Sequence, residues 1–360
     1  MPANALVYHR FWRHEVSGLG MRSLATRQLG RTELRVTGLG FGGAPLGNLF
    51  TPVGEAAAQR AVNVAFAAGV RYFDTAPLYG HGLSEGRLGE ALRGSPREAF
   101  VLSTKVGRRL EPCDPDAVEG GAYVDLPPYR PVFDYSGDGV LRSVEASLAR
   151  LGLERIDILF IHDIDAVTHG PAQQPARYRE ALTGAYRALA RLRSEGAVRA
   201  IGVGVNEWQT CQRCAEDADF DCFLLAGRYS LLDQGALDTF LPLRAERGIG
   251  VMIGGAFNSG ILATGAVTGA TYDYRPAPAE IRARTEALER VCRAHGVPLG
   301  AAALQFPLAH PAVASVIAGM RSAEEVKANL ALLRHPIPDG LWRDLKAEGL
   351  VHPGAPTSAG

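Results

Sequence analysis

Hydrophobic and polar positions along the chain follow two patterns that alternate. Short, nearly continuous apolar runs, typical of buried strands, are separated by longer stretches with the apolar spacing of amphipathic helices. The eight apolar runs occupy residues 36–43, 72–76, 100–105, 156–162, 198–205, 223–229, 250–256 and 315–319. Strands of this kind predict a parallel sheet that helices cover.

Helical spacing follows each predicted strand. The helix-like stretches are residues 55–69, 84–94, 138–152, 177–196, 207–218, 235–248, 279–295, 299–310 and 322–333. Eight strand–helix units in about 310 residues favour an α/β fold of the (β/α)8 TIM barrel type over a two-domain open sheet. Residues 27–36 predict a hairpin that turns at Gly30 and precedes the first strand.

No Ser/Gly/Pro-rich linker divides the chain, so we expect one domain over residues 27–350 and a C-terminal tail over 351–360. Residues 1–26 lack periodicity and predict a disordered extension, and one hypothesis is that translation naturally starts at Met21. Two long loops, 107–137 and 257–278, follow the third and seventh strands, where barrel loops build active sites. We interpret the first as a functional lid.

Charge and composition narrow the range of partners. The 360 residues contain 38 Lys and Arg against 38 Asp and Glu, which argues against nucleic acid and anionic membranes. No apolar run approaches the ~20 residues of a membrane span. Five scattered cysteines favour reduced thiols in a cytoplasmic protein. A small-molecule substrate is the expected partner, and the sequence does not indicate an oligomeric state.

Two short motifs are interpreted as structural. Gly38, Gly40 and Gly43 match G-x-G-x-x-G, but a loop rather than a helix follows them, which argues against a dinucleotide turn. Cys211 and Cys214 have C-x-x-C spacing in a helix-like stretch without a second pair, and we interpret them as buried thiols.

Polar residues end three successive predicted strands. Asp74, Lys105 and His162 occupy the ends of the second, third and fourth strands, and Tyr79 lies on the loop after the second. In a barrel, these ends meet at the face that carries the active site. Four such coincidences on neighbouring strands predict a catalytic constellation.

The four side chains suit the interconversion of an alcohol and a carbonyl. A tyrosine has a pKa near 10, and a neighbouring ammonium is expected to lower it. Asp74 would hold Lys105 in place, and His162 would donate a hydrogen bond to the substrate oxygen. Such chemistry requires a hydride carrier.

These residues stand in motifs that resemble the aldo-keto reductase family: DTAPLYG at 74–80, TK at 104–105 and IHD at 161–163. The resemblance extends from about residue 27 to 333. It implies a catalytic tetrad of Asp74, Tyr79, Lys105 and His162, and NAD(P)(H) bound on the barrel without a Rossmann domain.

The resemblance also implies cofactor contacts along the chain. Asn206 matches the ligand of the nicotinamide amide, residues 255–260 match the segment over the nicotinamide and pyrophosphate, and residues 319–329 match the adenosine end. The implied residues are Asn206, Tyr229, Phe257, Ser259, Gly260, Gly319, Arg321, Glu325 and Asn329. Gly227 and Arg228 replace the family's usual Gln, which leaves that contact open.

Cofactor preference turns on Glu325, which occupies a position where NADPH-preferring members commonly carry a cation. A carboxylate there would repel a 2′-phosphate and accept hydrogen bonds from ribose hydroxyls. Ala328 also replaces the usual acid before Asn329, whereas Arg321 remains and could bind phosphate or stack on adenine. We favour NAD, with NADP as the alternative.

Within the family, residues 43–49, 133–136, 203–208 and 255–262 resemble bacterial aldose dehydrogenases, a group with L-fucose and D-threo-aldose 1-dehydrogenases and, as a relative, pyridoxal 4-dehydrogenase. These substrates share a cyclic hemiacetal that is oxidised to a lactone. The candidate substrate residues are Asn48, His81, Tyr135 and Trp208, with Phe257 beside them.

Three other functions are weighed against this one. A general aldehyde and ketone reductase would use NADPH with Tyr79 as the acid. A cofactor-binding regulatory subunit is disfavoured by the intact tetrad. A metal-dependent hydrolase is disfavoured because no H-x-H pair ends the first strand, and no metal site is predicted.

Overall fold

The computed structural model describes residues 24–357, and eight of its strands form one closed parallel barrel. The barrel strands are β1 (Leu39–Gly42), β2 (Tyr72–Asp74), β3 (Val101–Val106), β4 (Ile158–His162), β5 (Ala200–Val205), β6 (Cys222–Ala226), β7 (Gly250–Gly254) and β8 (Val313–Gly319). Each strand pairs with the next along the chain, and β8 pairs with β1. The predicted TIM barrel is confirmed.

Helices surround the barrel. They are α1 (Glu55–Ala67), α2 (Leu83–Leu92), α3 (Gly137–Leu151), α4 (Ala166–Glu180), α5 (Tyr186–Ser194), α6 (Trp208–Asp217), α7 (Phe240–Arg247), α8 (Ile261–Thr264), α9 (Ala279–Ala294), α10 (Leu299–Leu308), α11 (Ala323–Arg334) and α12 (Asp339–Ala347). A π-helical turn, Ala181–Ala185, joins α4 to α5. Side-chain caps define several starts; Ser136, for example, accepts a hydrogen bond from the amide of Gly139.

The fourth helical region begins at Ala166, well before the predicted start at residue 177. Gly170 interrupts it with a φ of 70° and a ψ of 156°. Pro171 and Pro175 follow, and these breakers hid the helical periodicity from sequence analysis.

The interior of the barrel is filled by side chains and closed at its N-terminal end by a hairpin. Strand Thr26–Gln28 pairs with Arg35–Thr37, and the turn between them buries Leu29 and Leu34 against the barrel core. Gly30 has a φ of 54°, and a Cβ there would lie 2.4 Å from the amide nitrogen of Gly250. The hairpin and its turn at Gly30 are as predicted.

The two long loops contain short antiparallel pairs that their sequences did not suggest. Arg108–Pro112 pairs with Tyr129–Phe133 in the first loop, and Thr271–Tyr272 pairs with Arg275–Pro276 in the second. Proline in three of these four strands weakened the strand pattern.

The described residues include only 24–26 of the predicted N-terminal extension and 351–357 of the predicted C-terminal tail. The proposed start at Met21 lies outside the described residues. Val351 and Ala355, from the predicted tail, are buried, and the ammonium of Lys346 donates to the carbonyl of Ala355 at 2.7 Å. Among residues 24–357, no helix has the length and apolar character to cross a membrane.

Candidate active site

A buried ion pair lies where β2 and β3 run side by side. The ammonium of Lys105 lies 2.8 Å from Oδ2 of Asp74 and donates to the carbonyl of Thr75 at 2.9 Å. Ser103 donates to the other carboxylate oxygen of Asp74 at 2.7 Å. With Lys105 at 2% and Asp74 at 3% exposure, these hydrogen bonds compensate for the desolvation of both charges.

Tyr79 and His162 complete the group. The ammonium of Lys105 lies 4.5 Å from the ring centroid of Tyr79, and the imidazole of His162 stands edge-on to that ring at 6.1 Å. His162 is the last residue of β4. Tyr79, Lys105 and His162 line one cavity of about 240 Å³, with Asp74 behind Lys105.

The electrostatics of the group differ from expectation. Desolvation, and then the charge of Asp74, raise the pKa of Tyr79 well above 10. Desolvation outweighs the predicted lowering of the pKa by Lys105, whose ammonium is paired with Asp74. Burial, and then the charges of Arg108 and Lys105, hold the pKa of His162 well below 6.5. The phenol is therefore protonated and the imidazole neutral near pH 7.

Aromatic side chains from both long loops form a wall of the cavity. Tyr123, from the first loop, stacks on Tyr79 with ring centroids 6.4 Å apart. Tyr274, from the second, lies 6.2 Å from the ring of Phe50. The cavity is lined by Leu49, Leu78, Tyr79, Lys105, Ala122, Tyr123, His162, Asp163, Gly204, Val205, Asn206, Leu224, Ala226 and Tyr274. Only position on the two loops could have singled out Tyr123 and Tyr274 in the sequence.

Asp163 is a further polar residue of the cavity, and sequence analysis gave it no role. It directly follows His162 with a φ of 52°, and its carboxylate accepts a hydrogen bond from Arg108. One carboxylate oxygen is 3.4 Å from Nε2 of His162, and the other is 3.4 Å from the side-chain nitrogen of Asn206. The signal available was its place immediately beyond a strand end.

The four predicted substrate residues, Asn48, His81, Tyr135 and Trp208, do not line this cavity. The side-chain oxygen of Asn48 accepts from Arg87 at 2.8 Å, which orders the loop after β1. His81 is buried, and Trp208 packs against the core at the start of α6.

Tyr135 supports the site from behind. Its side chain is fully buried, and its hydroxyl lies 2.8 Å and 2.9 Å from the carbonyl oxygens of His162 and Asp163. It therefore holds the end of β4 in place.

The predicted cofactor residues near the cavity divide into two groups. Asn206 lines the cavity, and Ser259 and Gly260 form a turn with φ angles of 60° and 108°, beside Phe257. Tyr229 has no exposed surface and packs against Phe306, with ring centroids 5.2 Å apart. In this arrangement Tyr229 offers no surface to a cofactor.

The adenosine-end residues lie together where β8 meets α11. Gly319 ends β8, and Asn329 lies on α11. Nε of Arg321 lies 2.8 Å from a carboxylate oxygen of Glu325, and its Nη1 donates to Thr51 at 3.0 Å. Amide, hydroxyl, guanidinium and carboxylate groups, together with the left-handed turn at residues 258–260, fit a dinucleotide cofactor.

The glycine and cysteine motifs have the structural roles that we predicted. Gly40 lies inside β1, where a Cβ would come within 2.8 Å of the Tyr72 ring. Cys211 and Cys214 are free and buried on α6, and burial raises the pKa of Cys214 to about 12. Within residues 24–357, no cluster of three or more His, Cys, Asp or Glu side chains could hold a metal.

Comparison with known proteins agrees with this geometry. The model of the Aldo/keto reductase family matches residues 38–347. Pyridoxal 4-dehydrogenase of Microbacterium luteolum is 47% identical over 343 residues, covering 92% of this chain and 99% of that protein. D-threo-aldose 1-dehydrogenase of a Pseudomonas species is 39% identical, covering 88% and 95%.

Solved structures show the same relationship. The holo form of aldo-keto reductase AKR11C1 from Bacillus halodurans has a TM-score of 0.70 and 27% identity, covering 94% of this chain and 97% of that one. Members of the family are oxidoreductases that use NAD(P)(H). The chain belongs to the aldo/keto reductase family.

Proposed function

We propose that this protein oxidises the cyclic hemiacetal form of a small aldehyde, an aldose or pyridoxal, to the lactone with NAD as the hydride acceptor. The observation that carries the proposal is the position of Tyr79, which lies beside Lys105 and His162 in one cavity. The similarity to two dehydrogenases named for such substrates supports it.

In this direction the side chains act on the proton of the hemiacetal hydroxyl. Tyr79, as phenolate, takes that proton, and the neutral imidazole of His162 orients the substrate oxygen by a hydrogen bond. Lys105, held by Asp74, stabilises the negative charge of the phenolate. Oxidised nicotinamide would supply the hydride acceptor when bound in this cavity, and its positive charge would lower the raised pKa of Tyr79.

The cavity supports a hemiacetal over a simple aldehyde. The lining of this cavity of about 240 Å³ combines the polar side chains of Lys105, His162, Asp163 and Asn206 with the rings of Tyr123 and Tyr274. Polar side chains suit a hydroxylated substrate, and an aromatic wall suits the face of a sugar or pyridine ring.

NAD is the favoured cofactor because Glu325 pairs with Arg321. The guanidinium that could bind a 2′-phosphate is already held by this carboxylate, at 2.8 Å. Asn206, Ser259, Gly260, Gly319 and Asn329 are the further proposed cofactor residues, with Phe257 beside the turn. Five free cysteines support a reducing, cytoplasmic location.

The experiment is a screen for NAD reduction by aldoses, L-fucose among them, and by pyridoxal. The Tyr79→Phe variant keeps the ring and removes the hydroxyl, so we expect turnover to fall by about 10²–10⁴-fold while NAD binding stays within about twofold. Equal turnover of the variant and the wild type would contradict the proposed role of Tyr79.

The same screen distinguishes the proposed function from the two alternative functions. Reduction of simple aldehydes with NADPH, without oxidation of any hemiacetal, would identify a general carbonyl reductase. Cofactor binding without turnover in either direction would identify a binding subunit.

A further inference from the structure

We infer that Asp163 selects substrates that carry a hydroxyl group next to the reacting carbonyl group. The inference rests on the proposed function and adds to it the feature of the substrate that the cavity recognises. Asp163 is then a specificity-determining residue that contacts the substrate directly.

The backbone of Asp163 is the first observation. Its φ of 52° lies in the left-handed region, which costs free energy for a residue with a side chain and is tolerated best by Gly, Asn and Asp. If only the backbone conformation mattered at this position, glycine would adopt it without that cost. Strained residues of this kind cluster at functional sites, which points to a function for the carboxylate.

The charge of Asp163 is fixed at the wall of the cavity. The side chain is 12% exposed, and its Oδ2 accepts from the guanidinium of Arg108. Arg108 in turn lies over the ring of Phe133, at 4.3 Å from the centroid. A carboxylate held in this way is preorganised for a ligand and does not have to be ordered when the ligand binds.

The carboxylate also retains capacity to accept hydrogen bonds. It offers about four acceptor positions, of which Arg108 takes one. Its other neighbours, Nε2 of His162 and the side-chain nitrogen of Asn206, are each 3.4 Å away, at the weak end of the hydrogen-bond range. In a dehydrated complex an unfilled acceptor is costly, so a donor from the substrate would be favoured.

The distance between the donor on His162 and the acceptor on Asp163 indicates which substrate group could donate to Asp163. Nε2 of His162 and Oδ2 of Asp163 lie 3.4 Å apart, side by side in the cavity. Two oxygens on neighbouring carbons of a substrate have a similar separation. The reacting oxygen can therefore accept from His162 while the neighbouring hydroxyl donates to Asp163.

The hemiacetal of an aldose satisfies this pattern, because an aldose carries a hydroxyl on C2, next to its reacting C1. In pyridoxal the ring hydroxyl lies one carbon further from the reacting carbon, so pyridoxal does not present two oxygens on neighbouring carbons. Unsubstituted alkyl aldehydes have no such hydroxyl, so the pattern explains how the cavity would favour a sugar over a simple aldehyde.

The test compares matched substrates in matched variants. Turnover of L-fucose and of 2-deoxy-L-fucose is measured with NAD in the wild type, in Asp163→Asn and in Asp163→Gly. Asn and Gly both tolerate a φ of 52°, so either change removes the charge without new backbone strain. Asp125→Asn is the control, since Asp125 is exposed with a φ of 49° and lies outside the cavity.

We expect Asp163→Asn and Asp163→Gly to lower kcat/KM for L-fucose by about 10–100-fold, and for the deoxy sugar by less than about threefold. The control should leave both substrates unchanged. An equal loss for the two sugars, or no loss for either, would overturn the inference. Oxidation of pyridoxal but of no aldose would also overturn the inference, because the ring hydroxyl of pyridoxal is not on the carbon next to the reacting one.

Failure of the proposed function has a different signature. If the wild type oxidises no hemiacetal, the comparison is repeated in the reductive direction with glyceraldehyde, which carries the neighbouring hydroxyl, and propanal, which lacks it. Loss of the preference for glyceraldehyde in Asp163→Asn would support the inference independently of the physiological direction. Absence of turnover in both directions would overturn the inference and the proposed function together.

Discussion

Arg228 holds the carboxylate of Asp273 by two hydrogen bonds, of 3.0 Å and 2.7 Å. The pair joins the segment after β6 to the second long loop, whose Tyr274 lines the cavity. Arg228 stands near the position where the family usually has Gln, so the residue that departs from the pattern secures a loop over the candidate site.

This ion pair should control how often the loop opens. We expect Asp273→Asn to increase the rate of chymotryptic cleavage after Tyr274, which is exposed, severalfold, because a loop with weaker anchoring opens more often. The midpoint of thermal unfolding should change little, since the pair is partly solvated. Mass spectrometry of timed digests measures the effect.

Asp233→Asn provides the control for this loop. Asp233 lies 3.8 Å from the same guanidinium, too far for a strong hydrogen bond. Equal cleavage rates in the two variants would show that the Arg228–Asp273 pair does not anchor the loop.

Glu325 should determine the ratio of NAD to NADP use. Replacing it by Gln removes a negative charge, so a 2′-phosphate meets a guanidinium that no longer pairs with a carboxylate. We expect the ratio of kcat/KM for NADP to that for NAD to rise by about tenfold in Glu325→Gln, and further in Glu325→Arg.

The matched control at this end is Glu324→Gln, an exposed carboxylate in the same first turn of α11. An unchanged cofactor ratio in Glu325→Gln would remove the argument for NAD. An equal rise in both variants would assign the effect to net charge rather than to the Arg321 pair.

The buried His162 and the half-buried His310 should make the stability of the fold sensitive to acid. Burial lowers the pKa of His310 to about 4, and that of His162 falls well below 6.5. Between about pH 6.5 and 4 the unfolded chain binds protons that the folded protein does not, so the free energy of unfolding decreases as the pH falls.

Substitution of His310 tests the sign of this effect. In His310→Gln the decrease between pH 7 and 4.5 should be smaller by on the order of 1 kcal/mol, after allowance for the partly exposed ring. His335→Gln is the control. Denaturant titrations at a series of pH values measure the slope, and an unchanged slope would contradict the assignment.

Substitution by alanine at two glycines of α2 should change the free energy of unfolding in opposite directions. A Cβ at Gly89 would come within 1.9 Å of the carbonyl oxygen of Leu151, whereas a Cβ at Gly86 has no neighbour closer than 4.0 Å. Gly86→Ala should raise the free energy of unfolding by about 0.5–1 kcal/mol through helix propensity.

Gly89→Ala should instead lower it by about 1–3 kcal/mol, because the added methyl forces α2 and α3 apart. Urea unfolding of the two variants gives the comparison directly. Stabilisation by both substitutions would mean that α2 can move away from α3 at little cost.

The barrel, and the proximity of the four side chains predicted to form the tetrad, were accessible from the sequence because each depends on local order along the chain. Apolar runs mark the strands, and Asp74, Lys105 and His162 stand at or near their C-terminal ends, so parallel pairing alone brings them together. The cavity wall was not accessible in this way. Tyr123 and Tyr274 reach the cavity through loop conformations that carry no periodic signal.

The effects of charge on pKa and on side-chain pairing were the features of the candidate site that the sequence predicted least well. A neighbouring ammonium lowers the pKa of a phenol in isolation, but Asp74 already neutralises Lys105, and desolvation prevails at Tyr79. Asn48 and Tyr135 show the same limit for substrate residues, since their polar groups are used to order loops. Which partner a polar side chain takes depends on packing that a single sequence does not show.

The hairpin beneath the barrel has a practical consequence. Gly30 lies against Gly250 at the end of the barrel opposite the candidate active site. A linker attached just before Leu24 would therefore extend from the side of the barrel that faces away from the cavity. Immobilising the enzyme on a solid support through that linker would orient every open rim toward the solution. A biosensor electrode built in this way would present the cavities uniformly to the analyte.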